Sequence, residues 1–379
     1  MRRPASVIAF LSVLAGCGGE DGPVGAVVDL AAGGSSTCAR TETGVVICWG
    51  GNFNGQLGDG TTTDRPLPVR TRGIRNPVQI AVGDAHACAL LETGAVFCWG
   101  RNNHGQIGDG TTDDRSGPTL VMGIDDAVQI SAGSLHTCAV IADGTVMCWG
   151  SNLFGQIGDG TAEGRTTPTA VRDVEGAAEV RASTHHSCAR TAGGDAFCWG
   201  NNEDGQLGYG GTEPLHSRPQ QVFPLANAEG LALGEEHSCA RLADQTVACW
   251  GTNARGQQGD LGLGPDGHNY SPAVVVDLTG IVELTAGSFH SCARATAGTV
   301  KCWGMNDVGQ VGNGTTAPAP VPFDVAGLTE ATHLAAGSHH SCALRADGAV
   351  LCWGINEHGQ LGNDGVSAAN QPVDTLLPP

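Results

Sequence analysis

Fourteen cysteines and six histidines recur along the chain in one pattern, and their types suggest metal binding, acid–base chemistry or disulfide formation. The cysteines form seven pairs whose members are ten residues apart: Cys38 and Cys48, Cys88 and Cys98, Cys138 and Cys148, Cys188 and Cys198, Cys239 and Cys249, Cys292 and Cys302, Cys342 and Cys352. A histidine lies two residues before the first cysteine in six units: His86, His136, His186, His237, His290 and His340. Thiolate and imidazole are zinc ligands, and imidazole is also the most frequent general base. Paired cysteines in an oxidising compartment form disulfides instead.

The ten-residue spacing favours disulfides. In the second unit a three-residue turn at 92–94 places Cys88 opposite Cys98 on two antiparallel strands. At such a position the Cα atoms lie about 4.5 Å apart, a distance that a disulfide accepts. We therefore predict seven disulfides, each stabilising the fold by about 2 to 3 kcal/mol, and no metal site. Seven identical zinc sites with three ligands each are the alternative, which an oxidising compartment disfavours.

The third residue of this turn is Gly in six units, which fits the left-handed backbone that a three-residue hairpin needs. Gln245 takes its place in the fifth unit. We expect Gln245 to strain that turn.

The N-terminal residues resemble an export signal. Two arginines precede an apolar run from Val7 to Leu14, which is typical of a signal peptide and too short for an ordinary membrane-spanning helix. The Leu-Ala-Gly-Cys sequence that ends at Cys17 resembles the bacterial lipoprotein lipobox, which implies cleavage before Cys17 and its acylation. The alternative is an unpaired cysteine near an ordinary cleavage site.

These features give the predicted organisation of the N-terminus. Residues 1–16 form the signal peptide, and residues 17–26 form the lipidated cysteine and a flexible Gly-rich tether. Several acyl chains on one residue make a stable anchor. Gly18 replaces the Asp that retains many lipoproteins at the inner membrane, so we expect an exported protein at the outer membrane or cell surface.

The rest of the chain is one unit repeated seven times. All seven Trp lie in a Cys-Trp-Gly tripeptide, at 49, 99, 149, 199, 250, 303 and 353. Each unit contains about four short apolar segments separated by Gly-rich turns, which predicts strands. A period near 50 residues with four strands per unit is typical of a propeller. The predicted repeats are 27–76, 77–126, 127–176, 177–227, 228–279, 280–329 and 330–379.

The repeated sequence resembles a known family. The His-x-x-Ala, Gly-x-Val-x-x-Trp-Gly and Asn-x-x-Gly-Gln-Leu-Gly patterns are similar to those of the regulator of chromosome condensation repeat family, over residues 27–379. Ser36 replaces the His of the first repeat, and Gln258 replaces an aliphatic residue in the fifth. The resemblance implies an all-β fold, a seven-bladed β-propeller of four-stranded antiparallel blades.

The resemblance also implies functions. Nuclear members of the family exchange nucleotide on a small GTPase and bind chromatin. The export signal, the acidity and the lack of an inserted wedge argue against both functions for this chain. A secreted bacterial propeller of this repeat class inhibits β-lactamases through one face lined by loops.

Two further expectations concern the repeated residues. The first repeat opens at Val27 without a preceding Pro-x-x-Val strand, and the chain ends with such a strand near Val373. We therefore predict that the C-terminal strand completes the blade begun at Val27 and joins the first and last blades. Residues that recur in every blade are expected to be structural, with Trp packing between blades and His filling a repeated hydrogen-bonding position.

The charge balance excludes one class of partner. The chain has 38 acidic against 19 basic side chains and a formal charge of -19, which disfavours phosphate backbones. The arginines are scattered along the sequence, so we predict no nucleic-acid partner. The Asp-Gly-Thr-Thr segments at Asp59 and Asp109 lack the spacing of an EF-hand loop, although a weak cation site there stays open.

The predicted binding surface is the side of the propeller with the long, variable loops, because binding residues concentrate on such loops. The candidate partner-binding residues are Phe53, His104, Phe154, Asp204, Arg255, Phe289, Met305 and His358. We predict a monomeric, non-catalytic module without cofactor that binds an extracellular or envelope protein and contacts the membrane only through its lipid anchor. The alternatives are a hydrolase or lyase acting on polysaccharide in the central channel, and a carbohydrate-binding or adhesion module.

Overall fold

The computed structural model describes residues 23–259, 267–365 and 367–378. The predicted signal peptide, Cys17 and residues 18–22 of the tether lie outside the described residues. Their assignment therefore stays a prediction.

Each repeat folds into one four-stranded antiparallel sheet. Valine, isoleucine and alanine alternate with polar residues in these segments, and Gly-rich turns end them. Blades 1 to 3 contain β1 (Val27–Gly33), β2 (Ser36–Thr41), β3 (Val46–Gly50), β4 (Arg65–Arg70), β5 (Pro77–Val82), β6 (His86–Leu91), β7 (Val96–Gly100), β8 (Arg115–Leu120), β9 (Ala127–Ala132), β10 (His136–Ile141), β11 (Val146–Gly150) and β12 (Arg165–Ala170).

The remaining blades have the same order of strands. Blades 4 to 7 contain β13 (Ala177–Ala182), β14 (His186–Thr191), β15 (Ala196–Asn201), β16 (Leu215–Gln221), β17 (Ala228–Leu233), β18 (His237–Leu242), β19 (Val247–Thr252), β20 (His268–Val274), β21 (Ile281–Ala286), β22 (His290–Ala295), β23 (Val300–Gly304), β24 (Ala319–Asp324), β25 (Ala331–Ala336), β26 (His340–Arg345), β27 (Val350–Ile355) and β28 (Ala368–Asp374).

The seven sheets form a closed ring. The first strand of each blade contacts the first strands of its neighbours, including β1 against β25, and these strands surround a central channel. Hydrophobic clusters lie between neighbouring blades; the cluster at the closing junction joins Leu30 and Trp49 of blade 1 to Leu344 and Leu361 of blade 7. The prediction of an all-β, seven-bladed propeller is confirmed, and the described residues contain no helix.

The prediction about closure is wrong. The C-terminal strand β28 pairs with β27 inside blade 7, and β1 to β4 complete blade 1 from its own repeat. The first and last blades join through side chains instead: Thr37 Oγ1 lies 2.8 Å from His340 Nε2, and Trp49 Nε1 donates to the Gln360 carbonyl at 2.9 Å. Sequential hairpins satisfy all four strands locally, so no strand needs to be exchanged between the ends.

The second and third strands of every blade carry a disulfide, and the Cα atoms of each pair lie 4.0 to 4.1 Å apart. The ten-residue spacing predicted these pairs, and the structure confirms all seven. The bonded pairs are Cys38 with Cys48, Cys88 with Cys98, Cys138 with Cys148, Cys188 with Cys198, Cys239 with Cys249, Cys292 with Cys302, and Cys342 with Cys352. These cysteines are therefore not available as zinc ligands.

The turn of the fifth blade has the backbone that its neighbours have. Gln245 adopts a φ of 65° where six other units have Gly. Gln245 therefore has the expected left-handed backbone, and a residue with a Cβ is strained in that conformation.

The antiparallel order gives the ring two different faces. The loops from first to second strand (34–35 in blade 1, 83–85 in blade 2) and from third to fourth strand (51–64 and 101–114) emerge on one side, which we call the loop face. The tight turns between second and third strands and the connections to the next blade emerge on the other, the hairpin face. The loop face holds the longest connections.

Candidate functional site

Buried polar residues link each blade to the next below the loop face; we call them the junction layer. Between blades 3 and 4, His136 Nε2 lies 2.7 Å from Ser187 Oγ. Ser187 Oγ donates to the Gln156 carbonyl at 3.0 Å, and Trp199 Nε1 donates to the same carbonyl at 2.8 Å. Because the hydroxyl hydrogen points to Gln156, the imidazole must donate from Nε2.

The same link occurs at six of the seven junctions. The pairs are His86 with Thr137, His136 with Ser187, His186 with Ser238, His237 with Ser291, His290 with Ser341, and His340 with Thr37. Burial lowers the pKa of His86 to about 4 and the pKa of His136 to about 3. These imidazoles are fully buried and neutral at neutral pH, so they act as structural donors and do not reach a substrate.

The junction between blades 1 and 2 differs on both sides. Ser36 stands where the other blades have His, and Ala87 stands where the others have Ser or Thr. The two residues that would form the link are therefore absent together. Ser36 Oγ is buried without a hydrogen-bond partner among the described residues.

The recurrent Asn and Gln residues hold the long loops in shape. In blade 2, Asn102 Oδ1 accepts from the Ile107 amide at 2.9 Å, and Asn102 Nδ2 donates to the Thr111 carbonyl at 3.1 Å. Gln106 Oε1 accepts from the His104 amide at 2.9 Å. These bonds fix the loop from inside, so the residues at its tip can vary without changing its path.

The Asp-Gly-Thr segments bind an arginine of their own blade. Asp59 Oδ1 accepts from the Thr61 amide and hydroxyl at 2.9 and 2.7 Å, and Arg65 Nε donates to Asp59 Oδ2 at 2.9 Å. Burial opposes ionisation, but the hydrogen bonds from Thr61 and Arg65 lower the pKa of Asp59 below its usual value. Because the guanidinium supplies the positive charge, this geometry does not favour the cation site that the sequence left open.

Three of the eight candidate binding residues come together between blades 5 and 6. The guanidinium carbon of Arg255 lies 5.6 Å from the centroid of the Phe289 ring, and the Met305 amide donates to the Phe289 carbonyl at 2.9 Å. Arg255 and Met305 line a cleft of about 470 Å³ together with Asp307, Pro318 and Pro320. We call this the blade 5–6 cleft. A mainly apolar lining with one cation and one carboxylate suits a protein side chain or a peptide segment.

The two other apolar candidates lie at different loop tips. The Phe154 ring lies 4.4 Å from the His185 ring of the next blade. The Phe53 side chain is 83% exposed and Leu153 is 71% exposed. Gln56 Oε1 accepts from Asn54, as Gln156 Oε1 accepts from Phe154. Phe53 is therefore the structural counterpart of Leu153, and Asn54 is the counterpart of Phe154. Leu153 was not among the candidates from the sequence.

Two of the three remaining candidates contact a neighbouring blade. Asp204 lies 3.3 Å from His268 Nδ1, and His358 Nδ1 lies 2.8 Å from Asp64 of blade 1. Burial, followed by the charge of Arg101, lowers the pKa of His104. None of these three candidates lines the blade 5–6 cleft.

Adjacent carboxylates form an acidic sector that the sequence analysis did not identify. Burial, followed by repulsion from Asp204 and Glu235, raises the pKa of Glu236. Burial also raises the pKa values of Asp204 and Glu235. An alignment of the repeats could have identified this sector, because Glu235 stands where other blades have Ser134 and Ser288.

Carboxylates on the innermost strands are paired with arginines of their own blades. Arg190 Nε lies 3.2 Å from Glu179 Oε2, and Arg294 Nε lies 2.7 Å from Glu283 Oε2. The channel holds a cavity of about 330 Å³ between these strands. In the part of the chain that the structure describes, no three His, Cys, Asp or Glu side chains are placed to hold a metal ion. No described helix is long and apolar enough to cross a membrane.

Sequence comparisons place these features in a family. A family model described as RCC1-like domain matches residues 15–275. Models of the regulator of chromosome condensation (RCC1) repeat match residues 281–310, 331–360 and 297–344. The human E3 ubiquitin-protein ligase HERC2 is 39% identical over 103 residues, which are 26% of this chain and 2% of HERC2. The human probable E3 ubiquitin-protein ligase HERC3 is 40% identical over 85 residues, 22% of this chain and 8% of HERC3.

Solved structures show the same architecture. Prp20p from Saccharomyces cerevisiae has a TM-score of 0.78 and 23% identity, covering 88% of this chain and 86% of that one. Human WBSCR16 has a TM-score of 0.79 and 21% identity, covering 88% and 95%. Likeness at this identity shows the fold alone. With its seven matching blades and the domain match over most of its length, the chain belongs to the RCC1-like domain family.

Proposed function

We propose that this protein is a lipid-anchored, non-catalytic propeller that binds another protein at the cell envelope through its loop face. The observation that carries the proposal is the blade 5–6 cleft, where Arg255 and Met305 form an accessible, mainly apolar surface. RCC1-like propellers generally bind other proteins. Loop tips held by internal hydrogen bonds let such a surface vary on a constant frame.

The geometry of the channel supports a non-catalytic function. Hydrolysis or elimination on a polysaccharide needs two carboxyl groups with different protonation states around one bond. The carboxylates that line the channel cavity are Asp29 and Glu283, and each is paired with an arginine of its own blade. Among the described residues the aromatic side chains available for sugar stacking are few, because all seven Trp are buried.

The likeness to solved propellers does not support a shared binding partner. Prp20p is described with binding properties to Gsp1p and histones, but its 23% identity supports no shared partner. The formal charge of -19 also disfavours nucleosomal DNA. We therefore propose an envelope or extracellular protein as the partner, with guanine-nucleotide exchange excluded from the proposal.

The test of binding is affinity capture from intact envelopes with three forms of the full chain as bait. We expect a protein that the unmodified chain retains and that Arg255→Glu combined with Met305→Glu loses. Arg172→Glu on the hairpin face is the control and should retain it. Equal recovery by all three forms, or turnover of a glycan library by the chain, would overturn the proposal.

The test of the anchor is separate. Mass spectrometry of the protein from a bacterial host should find an acylated N-terminal Cys17, and Cys17→Ser should move the protein from the membrane to the soluble fraction. An unmodified Cys17 in the membrane fraction would contradict lipidation.

A further inference from the structure

Two carboxylates on the loop face stand at neighbouring positions where the other blades carry none; we call Asp204 and Glu236 the acid pair. At the loop tip of blade 4, Asp204 stands where the other tips have Asn54, His104, Phe154, Arg255, Val308 and His358. Between β17 and β18, Glu236 stands where the other blades have Ser35, Ala85, Leu135, His185, Phe289 and His339. The repeated frame therefore does not explain the acid pair.

The junctions on either side show that these two positions contact each other across a blade boundary. Before the acid pair, the ring centroids of Phe154 and His185 lie 4.4 Å apart. After it, the guanidinium carbon of Arg255 lies 5.6 Å from the centroid of the Phe289 ring. Both of these junctions hold an attractive contact, whereas the acid pair brings together two groups of like charge.

The charges of the free protein do not compensate the acid pair. Burial, followed by repulsion from Asp204 and then from Glu235, raises the pKa of Glu236. His268 Nδ1 lies 3.3 Å from Asp204, and the charge of Arg255 attracts Glu236. The pKa values of Asp204 and Glu236 are nevertheless both raised. A cation supplied by another molecule would relieve this repulsion.

The acid pair is continuous with the blade 5–6 cleft. Arg255, which attracts Glu236, lines the cleft together with Met305. The apolar lining continues through Pro318 and Pro320, and the cleft measures about 470 Å³. A ligand that reaches the acid pair along the loop face therefore meets an apolar cleft beside it.

This order of groups fits a basic segment of a protein. A guanidinium donates parallel hydrogen bonds to carboxylates, and it is weakly hydrated enough to bind where the carboxylates are half-buried. An apolar side chain next to that cation would fill the cleft as an anchor. The formal charge of -19 also favours the approach of a basic partner over an acidic one.

We propose that the loop face of blades 4 to 6 binds a basic segment of its protein partner. The cationic side chain of that segment binds the acid pair, and a neighbouring apolar side chain enters the blade 5–6 cleft. The inference rests on the proposed function and names the chemistry of the partner. Asp204 and Glu236 select for positive charge, whereas Met305 and the prolines of the cleft supply apolar contact.

The experiment selects peptides on the full chain with Cys17→Ser, so that acyl chains cannot contribute. A library of random short peptides is passed over the immobilised protein, and the enriched peptides are sequenced. We expect them to carry Arg or Lys close to a large apolar residue. Their affinity, measured by titration calorimetry, should fall as the salt concentration rises.

Removal of the acid pair should weaken these peptides specifically. Asp204→Asn with Glu236→Gln should lower their affinity on the order of 10- to 100-fold, the range expected when hydrogen bonds to a charged group are lost. Because the two replacements remove a repulsion, they should not lower the free energy of unfolding at neutral pH. Urea unfolding of the variant checks that it is folded.

Two controls separate the acid pair from the general charge of the face. Asp113→Asn with Glu357→Gln removes two exposed carboxylates from the loops of blades 2 and 7 and should leave the affinity unchanged. A peptide whose Arg or Lys is replaced by Gln should bind the unmodified protein and the acid-pair variant equally. The resulting double-mutant cycle measures the coupling between the peptide cation and the acid pair.

The inference is contradicted if the enriched peptides lack Arg and Lys, if no peptide is enriched, or if the cycle is strictly additive. Binding of Ca²⁺ alone by Asp204 and Glu236, without binding of peptides, would also contradict it. Peptides that Met305→Glu releases but the acid-pair variant retains would leave the proposed function intact and refute only this inference. Peptides that neither variant weakens would contradict both proposals.

Discussion

The junction layer and the loop tips are built from the same seven repeats, yet they have opposite tolerance for change. The junction layer keeps one arrangement of His, hydroxyl, Gln carbonyl and Trp at six junctions. Positions equivalent to Phe154 at the loop tips carry Asn, His, Asp, Arg and Val in other blades. In a closed ring of repeats, residue identity is constrained where a side chain bonds to the next blade. It can vary at loop tips, because hydrogen bonds within the same loop hold the backbone there.

Acidification should show the largest effect of the junction layer. Burial lowers the pKa of His136 to about 3 in the folded protein, against about 6.5 in the unfolded chain. The unfolded chain therefore binds more protons between these values, and stability falls as the pH drops below about 6.5. Each His contributes about 1.4 kcal/mol per pH unit, so six give on the order of 8 kcal/mol per unit. Urea unfolding at a series of pH values measures this slope.

The control for acidification is His136→Gln, which should remove about one sixth of the slope. A free energy of unfolding that stays constant between pH 6.5 and pH 5 would contradict the assignment of neutral, buried imidazoles.

Truncation of one residue from each region tests the comparison directly. Trp149 is fully buried and donates to the Gln106 carbonyl at 2.9 Å. Trp149→Ala should lower the free energy of unfolding by about 3 to 5 kcal/mol, whereas Phe53→Ala should change it by less than about 0.5 kcal/mol. Chemical denaturation measures both. Similar losses for the two variants would show that the tips also support the fold.

Copying the exceptional junction into a regular one tests whether its two changes compensate. Ser187→Ala alone leaves the His136 donor buried without its acceptor and should cost about 1 to 3 kcal/mol. His136→Ser together with Ser187→Ala reproduces the pair Ser36 and Ala87 between blades 3 and 4. The double variant should lose about 1 kcal/mol less than the sum of the single variants. A double-mutant cycle measures the coupling, and strict additivity would refute compensation.

The smallest expected difference in stability concerns the glycine at the same position of two equivalent hairpin turns. Gly94 and Gly348 have φ values of 84° and 85°, so Ala at either position costs about 1 to 2 kcal/mol. A Cβ at Gly94 would lie 2.5 Å from the Asp125 carbonyl oxygen, whereas a Cβ at Gly348 meets no atom within 4 Å. Thermal unfolding should therefore show that Gly94→Ala is about 1 kcal/mol less stable than Gly348→Ala. Equal losses would mean that the neighbouring connection moves away freely.

The sequence predicted the parts of the fold that repeat. The ten-residue Cys spacing and the position of Trp in each unit follow from contacts that occur seven times, so the pattern is visible seven times. The predicted exchange of the C-terminal strand was wrong. The absence of a Pro-x-x-Val segment before Val27 shows only that each repeat begins with its first strand and ends with its fourth. The strand β1 pairs with β2, the next strand in the sequence, through a short turn. Blade 1 therefore needs no strand from the C-terminus.

The candidate site was predictable only in part. Arg255, Phe289 and Met305 were named from their variable loops, but their meeting in one cleft depends on contacts between two blades.

The junction without a His link lies between two blades that the polypeptide itself connects. Blades 7 and 1 have no such peptide connection, and there the bond from His340 to Thr37 is present. Side chains therefore join the ring at its one break in the backbone. At the one junction without a His link, the backbone connection acts together with the Trp99 bond to the Gln56 carbonyl and the apolar cluster around it. A pull on the N-terminal tether would first load blade 1, whose two borders resist separation by these different means.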